Sequence, residues 1–158
     1  MASGILFISV ILIAFSTVHA IIISCVSSAD TCIGTDDNDK MEGDGSSNIM
    51  LGVKGNDEIT SGRGDDGIDG GDGNDQMFGG SGFDAMIGDH GNDEMNGQDG
   101  TDFMLGGDGN DEMNGGDGND EMEGGYGGDS FNCGHGDDKI NDFSVEEGDT
   151  KSEDCEDF

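Results

Sequence analysis

An aspartate returns every ninth residue through most of this chain, and glycines return with it. From residue 34 to residue 141 the sequence divides into twelve consecutive nonapeptides without a single insertion. The sixth position is Asp in eleven of them: Asp39, Asp57, Asp66, Asp75, Asp84, Asp93, Asp102, Asp111, Asp120, Asp129 and Asp138. Asn48 stands in the remaining repeat. The first position is Gly in ten repeats, with Ser61 and Cys133 as exceptions, and the fourth is Gly in ten, failing at Asp37 and Ser46. Glycines at positions one and four let the backbone take positive φ and turn tightly without a Cβ clash. Such a turn aims carbonyl oxygens inward and brings the sixth-position carboxylate beside them. Carbonyl and carboxylate oxygens, about six to eight together, are what a hard cation such as Ca2+ takes.

The elements that must hold these oxygens follow from the rest of the repeat. Its eighth position is apolar every time: eight Met, three Ile (Ile59, Ile68, Ile140) and Phe131. The last three residues place one apolar side chain between two that are mostly polar. That pattern predicts a three-residue strand with one buried face. Nine residues then make a turn and a short strand, and stacking them makes parallel sheets. The fold class is all-β, with no helix expected in the repeats.

Composition narrows the function. The 158 residues carry 37 Asp and Glu against 5 Lys and Arg, a formal charge of −32, with 32 Gly and neither Pro nor Trp. A polyanion without a basic cluster is excluded from nucleic acid and from anionic membrane surfaces. Without Pro, and without Gly at every third position, it is not collagen-like. High charge with few large hydrophobes reads as disorder unless something neutralises the charge. EF-hands fail because no loop has Gly at position six and Glu at twelve. There is no H-E-x-x-H, no nucleophile constellation and no room outside the repeats for a catalytic domain, so no enzymatic activity is expected.

Two of the cleanest repeats are Gly106 to Asn114, G-G-D-G-N-D-E-M-N, and Gly115 to Glu123, G-G-D-G-N-D-E-M-E. With U for an apolar residue, the pattern G-G-x-G-x-D-x-U-x resembles the RTX (hemolysin-type) calcium-binding repeats. The resemblance covers residues 34–141. It implies a right-handed parallel β-roll, a solenoid of about six coils with two nonapeptides in each. It implies Ca2+ between the turns of neighbouring coils, up to about ten ions, held by the eleven sixth-position Asp side chains. It further implies main-chain carbonyl ligands, among them those of Gly71, Gly73, Gly80, Gly82, Gly107, Gly109, Gly116 and Gly118. The first two repeats depart from the pattern at Asp37, Ser46 and Asn48, and Phe83 at a fifth position contributes only backbone. A core this thin and a charge this large predict that the metal folds the chain.

The segment from Asp142-Phe143 to Glu147-Gly148-Asp149 is similar to the ending that follows such repeats in many exported proteins, so residues 142–158 are expected to cap the stack. Fifth positions of alternate repeats are Asn38, Asn56, Asn74, Asn92 and Asn110, a residue that suits the turn conformation. Some relatives expose Thr and Asn rows to ice, but no Thr accompanies this row.

Before the repeats, Gly4 to Val26 is almost continuously apolar, and no charged side chain precedes Asp30. The segment reads as a signal peptide of residues 1–20 cut before Ile21, or as an uncleaved anchor reaching about residue 26. A third reading is a loose lipobox, Ile22-Ile23-Ser24-Cys25. Each exports the remainder, with residues 21–33 as a linker or cap. Cys25, Cys32, Cys133 and Cys155 fit an oxidising compartment. Cys133 and Cys155 could close a loop at the C-terminal end, and Cys25 could pair with Cys32. The function expected is that of an exported calcium-binding protein, and the alternative is a cell-surface structural or adhesive component stiffened by calcium. Outward positions of even repeats include apolar pairs, and Ala85, Ile87, Phe103 and Leu105 are expected side by side as a face for self-association or a protein partner.

Overall fold

The computed structural model describes residues 22–25 and 31–155. The signal, anchor and lipidation readings rest mainly on residues outside that range. The first described strands are β1 (Ile22–Ser24), β2 (Thr31–Ile33), β3 (Lys40–Glu42), β4 (Ile49–Lys54) and β5 (Glu58–Arg63). They are followed by β6 (Gly67–Asp72), β7 (Gln76–Gly82), β8 (Ala85–His90), β9 (Glu94–Gly100) and β10 (Phe103–Asp108). The last are β11 (Glu112–Gly118), β12 (Glu121–Tyr126), β13 (Ser130–His135), β14 (Lys139–Ile140) and β15 (Thr150–Lys151). Odd-numbered strands form one sheet of eight and even-numbered strands form a second of seven.

Every pairing is parallel, and within the repeats partners lie eighteen residues apart, as in Met86↔Met104 and Met95↔Met113. Two nonapeptides therefore close one coil, and the chain is a right-handed parallel β-roll of about seven turns. The twelve repeats account for six coils. Ile22–Ser24 and Thr31–Ile33 add to them at the start, pairing in the same register with Lys40–Glu42 and Ile49–Leu51.

The core is one side chain thick on each sheet. Eighth-position residues from Met41 to Phe131 are all 0–2% exposed, and Ile140 is partly buried against them. One residue per coil per sheet leaves a narrow, irregular seam. Methionine, unbranched and polarizable, fills such a seam without forcing the sheets apart.

Two local expectations are corrected. Most strands within the repeats run six or seven residues rather than three, because each continues through the first position and into the next turn. The first position also faces inward and is buried along with the eighth, as at Gly52 and Met50. Positive φ falls at positions two and four, not one and four: Gly71 has φ +96° and Gly73 +153°, while Gly70 is not among the positive-φ residues. The second-position residues Val53, Asp89 and Gln98 adopt the same left-handed backbone with φ +87°, +75° and +75°.

First-position glycine is needed for close approach instead. A Cβ on Gly52, Gly88 or Gly106 would overlap Oδ2 of the Asp five residues on, and the first-position carbonyl of the following coil. Where the first position is not Gly, the inward side chain is put to use. Ser61 hydroxyl donates to the Gly79 carbonyl, and Cys133 is bridged to Cys155. Cys25 is bridged to Cys32. Among the described residues no helix is long and apolar enough to cross a membrane.

Candidate metal centre

The sixth-position aspartates line both edges of the roll, where strand gives way to strand. They are buried, from 0 to 3% exposed. Each Oδ1 from Asp57 to Asp138 accepts a hydrogen bond from the main-chain N–H of the sixth-position residue one coil earlier. Along one edge Asp75 accepts from Asp57 at 2.8 Å, Asp93 from Asp75 at 2.8 Å and Asp111 from Asp93 at 2.8 Å. Along the other, Asp84 accepts from Asp66 at 2.9 Å, Asp102 from Asp84 at 2.9 Å and Asp120 from Asp102 at 2.8 Å. The eighteen-residue period thus builds two carboxylate ladders.

The second oxygen of each carboxylate is unpaired. Oδ2 of Asp57, Asp66, Asp75, Asp84, Asp93, Asp102, Asp111, Asp120, Asp129 and Asp138 is buried without a hydrogen-bond partner. A buried carboxylate left half-satisfied is costly, because desolvation penalises its charge. The titration behaviour shows that cost. Burial pushes Asp93 up to about 7, and the like charges of Asp111 and Asp75 add to it, while the main-chain bond from Asp75 works the other way. Burial likewise pushes Asp102 to about 7, and Asp57, Asp84 and Asp111 to about 6. Asp75, Asp120, Asp129 and Asp138 are raised for the same first reason.

Among the described residues no three His, Cys, Asp or Glu side chains gather at one point. The ladders supply one carboxylate per coil, so a complete ligand set needs main-chain oxygens. The turns provide them. The carbonyls of Gly73, Gly82, Gly107, Gly109, Gly116 and Gly118 each lie where a Cβ would sit on the glycine one coil later, at Gly91, Gly100, Gly125, Gly127, Gly134 and Gly136. They enter the space between coils. Gly71 and Gly80 keep the same left-handed backbone, with Asp89 and Gln98 one coil after them. Unpaired carboxylate oxygens beside first-position carbonyls, in coils whose turns stack further carbonyls, make an all-oxygen donor set of the kind a hard divalent cation takes.

The basic side chains point outward from the turns and strands. Lys54 pairs with Asp72 at 3.5 Å, Lys139 with Glu121 at 2.9 Å, His135 with Asp117 at 2.7 Å and His90 with Asp108 at 3.1 Å, all on outer surfaces. Lys40 pairs with Glu58 there too.

Three sets of hydrogen bonds go beyond the expectations. Fifth-position asparagines form a ladder of their own: Asn38 Oδ1 accepts from Asn56 N–H at 2.8 Å, and Asn56, Asn74, Asn92 and Asn110 repeat the contact down the edge. The row satisfies turn backbone, and its alternate-repeat spacing was the visible signal. Asp149 stands in for a sixth-position Asp at the C-terminal end. It accepts from Asp129 N–H at 2.9 Å and from Ser144 N–H at 2.7 Å. Thr35 attends Asp39 at the other end, bonding its Oδ2 through N–H at 2.6 Å and hydroxyl at 2.9 Å. Phe83, as expected, joins the turn through backbone, donating its N–H to Asp65 at 3.0 Å.

The fold and the ladders define a class: a parallel β-solenoid whose stacked turns present oxygen ligands at a fixed period. Comparison with protein families gives the class its name. The model for the RTX calcium-binding nonapeptide repeat, in four copies, matches residues 27–59, 42–77, 51–86, 69–104, 78–113 and 114–141, more than two thirds of the chain. The chain belongs to this family and carries calcium-binding repeats. No curated protein matches it.

Proposed function

We propose that this chain is an exported calcium-binding β-roll whose coils become ordered when calcium is bound between the stacked turns. The observation that carries the reading is the set of ten buried carboxylate oxygens without a partner. Calcium, when bound, supplies the positive charge and the oxygen coordination that these atoms lack. Asp57, Asp66, Asp75, Asp84, Asp93, Asp102, Asp111, Asp120, Asp129 and Asp138 would hold it with side chains, and the second- and fourth-position carbonyls would complete the shell.

The chain's own residues do the rest. Oδ1 of each ladder Asp fixes the carboxylate plane by its bond to the previous coil. First-position glycine keeps space beside Oδ2, and the methionine seam holds the two sheets at a constant separation. The residues after Ile140 serve as a cap. Phe143 packs edge-on against core Phe131 with ring centroids 6.3 Å apart, and Asp142 accepts from Gly124 and Gly125 N–H at 2.9 and 2.7 Å. Export is supported by the apolar N-terminal stretch and by two disulfides, which persist in oxidising compartments. The role is binding rather than catalysis.

Circular dichroism of the full chain during a calcium titration tests the reading. The expected result is a cooperative conversion from coil to β structure, reversed by chelator, with magnesium a poor substitute because it resists dehydration and demands octahedral geometry. A spectrum already rich in β structure in excess chelator, and unmoved by millimolar calcium, overturns it.

A further inference from the structure

The two ladders do not end as they run. On one edge, Asp57, Asp75, Asp93, Asp111 and Asp129 each keep an unpaired Oδ2. Asp39 precedes them in the same register, donating its N–H to Asp57 Oδ1 at 2.8 Å, yet its own Oδ2 is taken by Thr35 through both N–H and hydroxyl. On the other edge, Asp66, Asp84, Asp102, Asp120 and Asp138 have the unpaired oxygen. Asn48 precedes them, donating its N–H to Asp66 Oδ1 at 2.6 Å. A neutral amide stands there, and its oxygen accepts from Asp44 N–H at 3.3 Å.

The far end of the first ladder closes in the same manner. Asp149 has both oxygens occupied, by N–H groups of Asp129 and Ser144. On the first ladder the open carboxylates are closed off at both ends, and on the second they are closed off at the N-terminal end, with Asp138 open at the other. The residues flanking them are satisfied by hydroxyl, amide and main-chain donors of the chain itself.

We infer that the first coil of the repeats, Gly34 to Leu51, is a calcium-free boundary closed by Thr35 and Asn48, and that the calcium-bearing stretch begins at Asp57 and Asp66. This rests on the calcium reading above. An ion between two coils draws a carboxylate from each side, and five open carboxylates in a row enclose four gaps. The two edges together hold about eight ions, not the ten or so that counting repeats suggests. Protein donors at Asp39 and Asn48 satisfy this boundary coil without an ion of its own, so the calcium-bearing stretch ends against a polar unit of the stack.

The test is the number of calcium ions bound by the full chain, measured by native mass spectrometry and by isothermal titration. Wild type is expected to take about eight. Asp39→Asn should leave both the count and the midpoint unchanged, whereas Asp75→Asn should lower the count. Asn48→Asp, which puts a carboxylate in place of the neutral amide and leaves it one oxygen beyond the Asp44 N–H contact, should add one ion. A count that falls on Asp39→Asn, or that stays fixed on Asn48→Asp, overturns the boundary while leaving the calcium reading intact. A chain that takes no calcium in any form sinks both.

Discussion

At the residue scale the governing fact is that one letter in the repeat holds different physical situations. Asp93 has one oxygen bonded and one oxygen bare, and burial with neighbouring like charge raises it to about 7. An unfolded Asp ionises near about 3.9. The metal-free folded chain therefore binds more protons than the unfolded chain between roughly pH 4 and 7. Its stability is present in acid and is lost as pH rises through the raised values at Asp93 and Asp102, the reverse of a salt-bridged Asp. In excess chelator the β signal in circular dichroism should be larger at pH 5 than at pH 8. With calcium present, the titration midpoint should move to higher calcium as pH falls from 8 to 5, because protons and metal compete for the same oxygens. A chelated chain more ordered at pH 8 than at pH 5 would contradict the shared site.

At the element scale, each coil is a turn, a strand, a turn and a strand, and it cannot bury its seam alone. Met104 lies between Met86 and Met122 in register, so every interior coil depends on two neighbours. The carboxylates inherit that dependence. Asp93 Oδ1 accepts from Asp75 while its N–H donates to Asp111, tying three coils. Asp138 accepts from Asp120 near the end of its ladder. Asp93→Ala should raise the calcium midpoint several-fold more than Asp138→Ala, because the Asp93 carboxylate would serve the ions on both sides of an interior coil whereas Asp138 would serve one. Equal midpoints for the two variants would point to independent sites.

At the scale of the molecule, charge decides which surfaces can meet. Most outward strand positions are acidic or polar. Phe103 pairs with Ala85 and Leu105 with Ile87 on the outer face of the even-numbered strands, where Ile87 is 38% exposed and the other three are half-buried. Asp69 borders this strip on one side, and Glu121 and Glu123 border it on the other. A second copy meets here an apolar surface inside an acidic rim, where most of the outer surface would bring carboxylates together. Ile33, Ile49 and Leu51 form a further apolar stretch at the N-terminal end of the same sheet. Calcium-loaded protein at high concentration should self-associate through this strip, and Phe103→Ser with Leu105→Ser should leave it monomeric in sedimentation. A wild-type chain that stays monomeric under those conditions removes this face from the account.

The period of nine determined a great deal without any tertiary knowledge. It gives Met41 through Ile140 one buried position and the sixth-position Asp one place in every turn, because a strict repeat gives every unit the same covalent spacing. The assignment of alternate repeats to alternate sheets, with Asp along two edges, was implied by the resemblance to RTX repeats. The sequence allowed Cys133 to pair with Cys155 at the C-terminal end of the stack, and the structure makes the bridge. What the tertiary structure alone decided lies between coils. Whether a first-position glycine turns or simply makes room depends on the carboxylate five residues on and the carbonyl eighteen away, as at Gly106 with Asp111 and Gly124. Whether Asp39 is open or closed depends on how Thr35 folds back over it. Asp39 and Asp75 are the same letter at the same position, but hydrogen bonding is set by neighbours in space. At the end of a stack those neighbours differ.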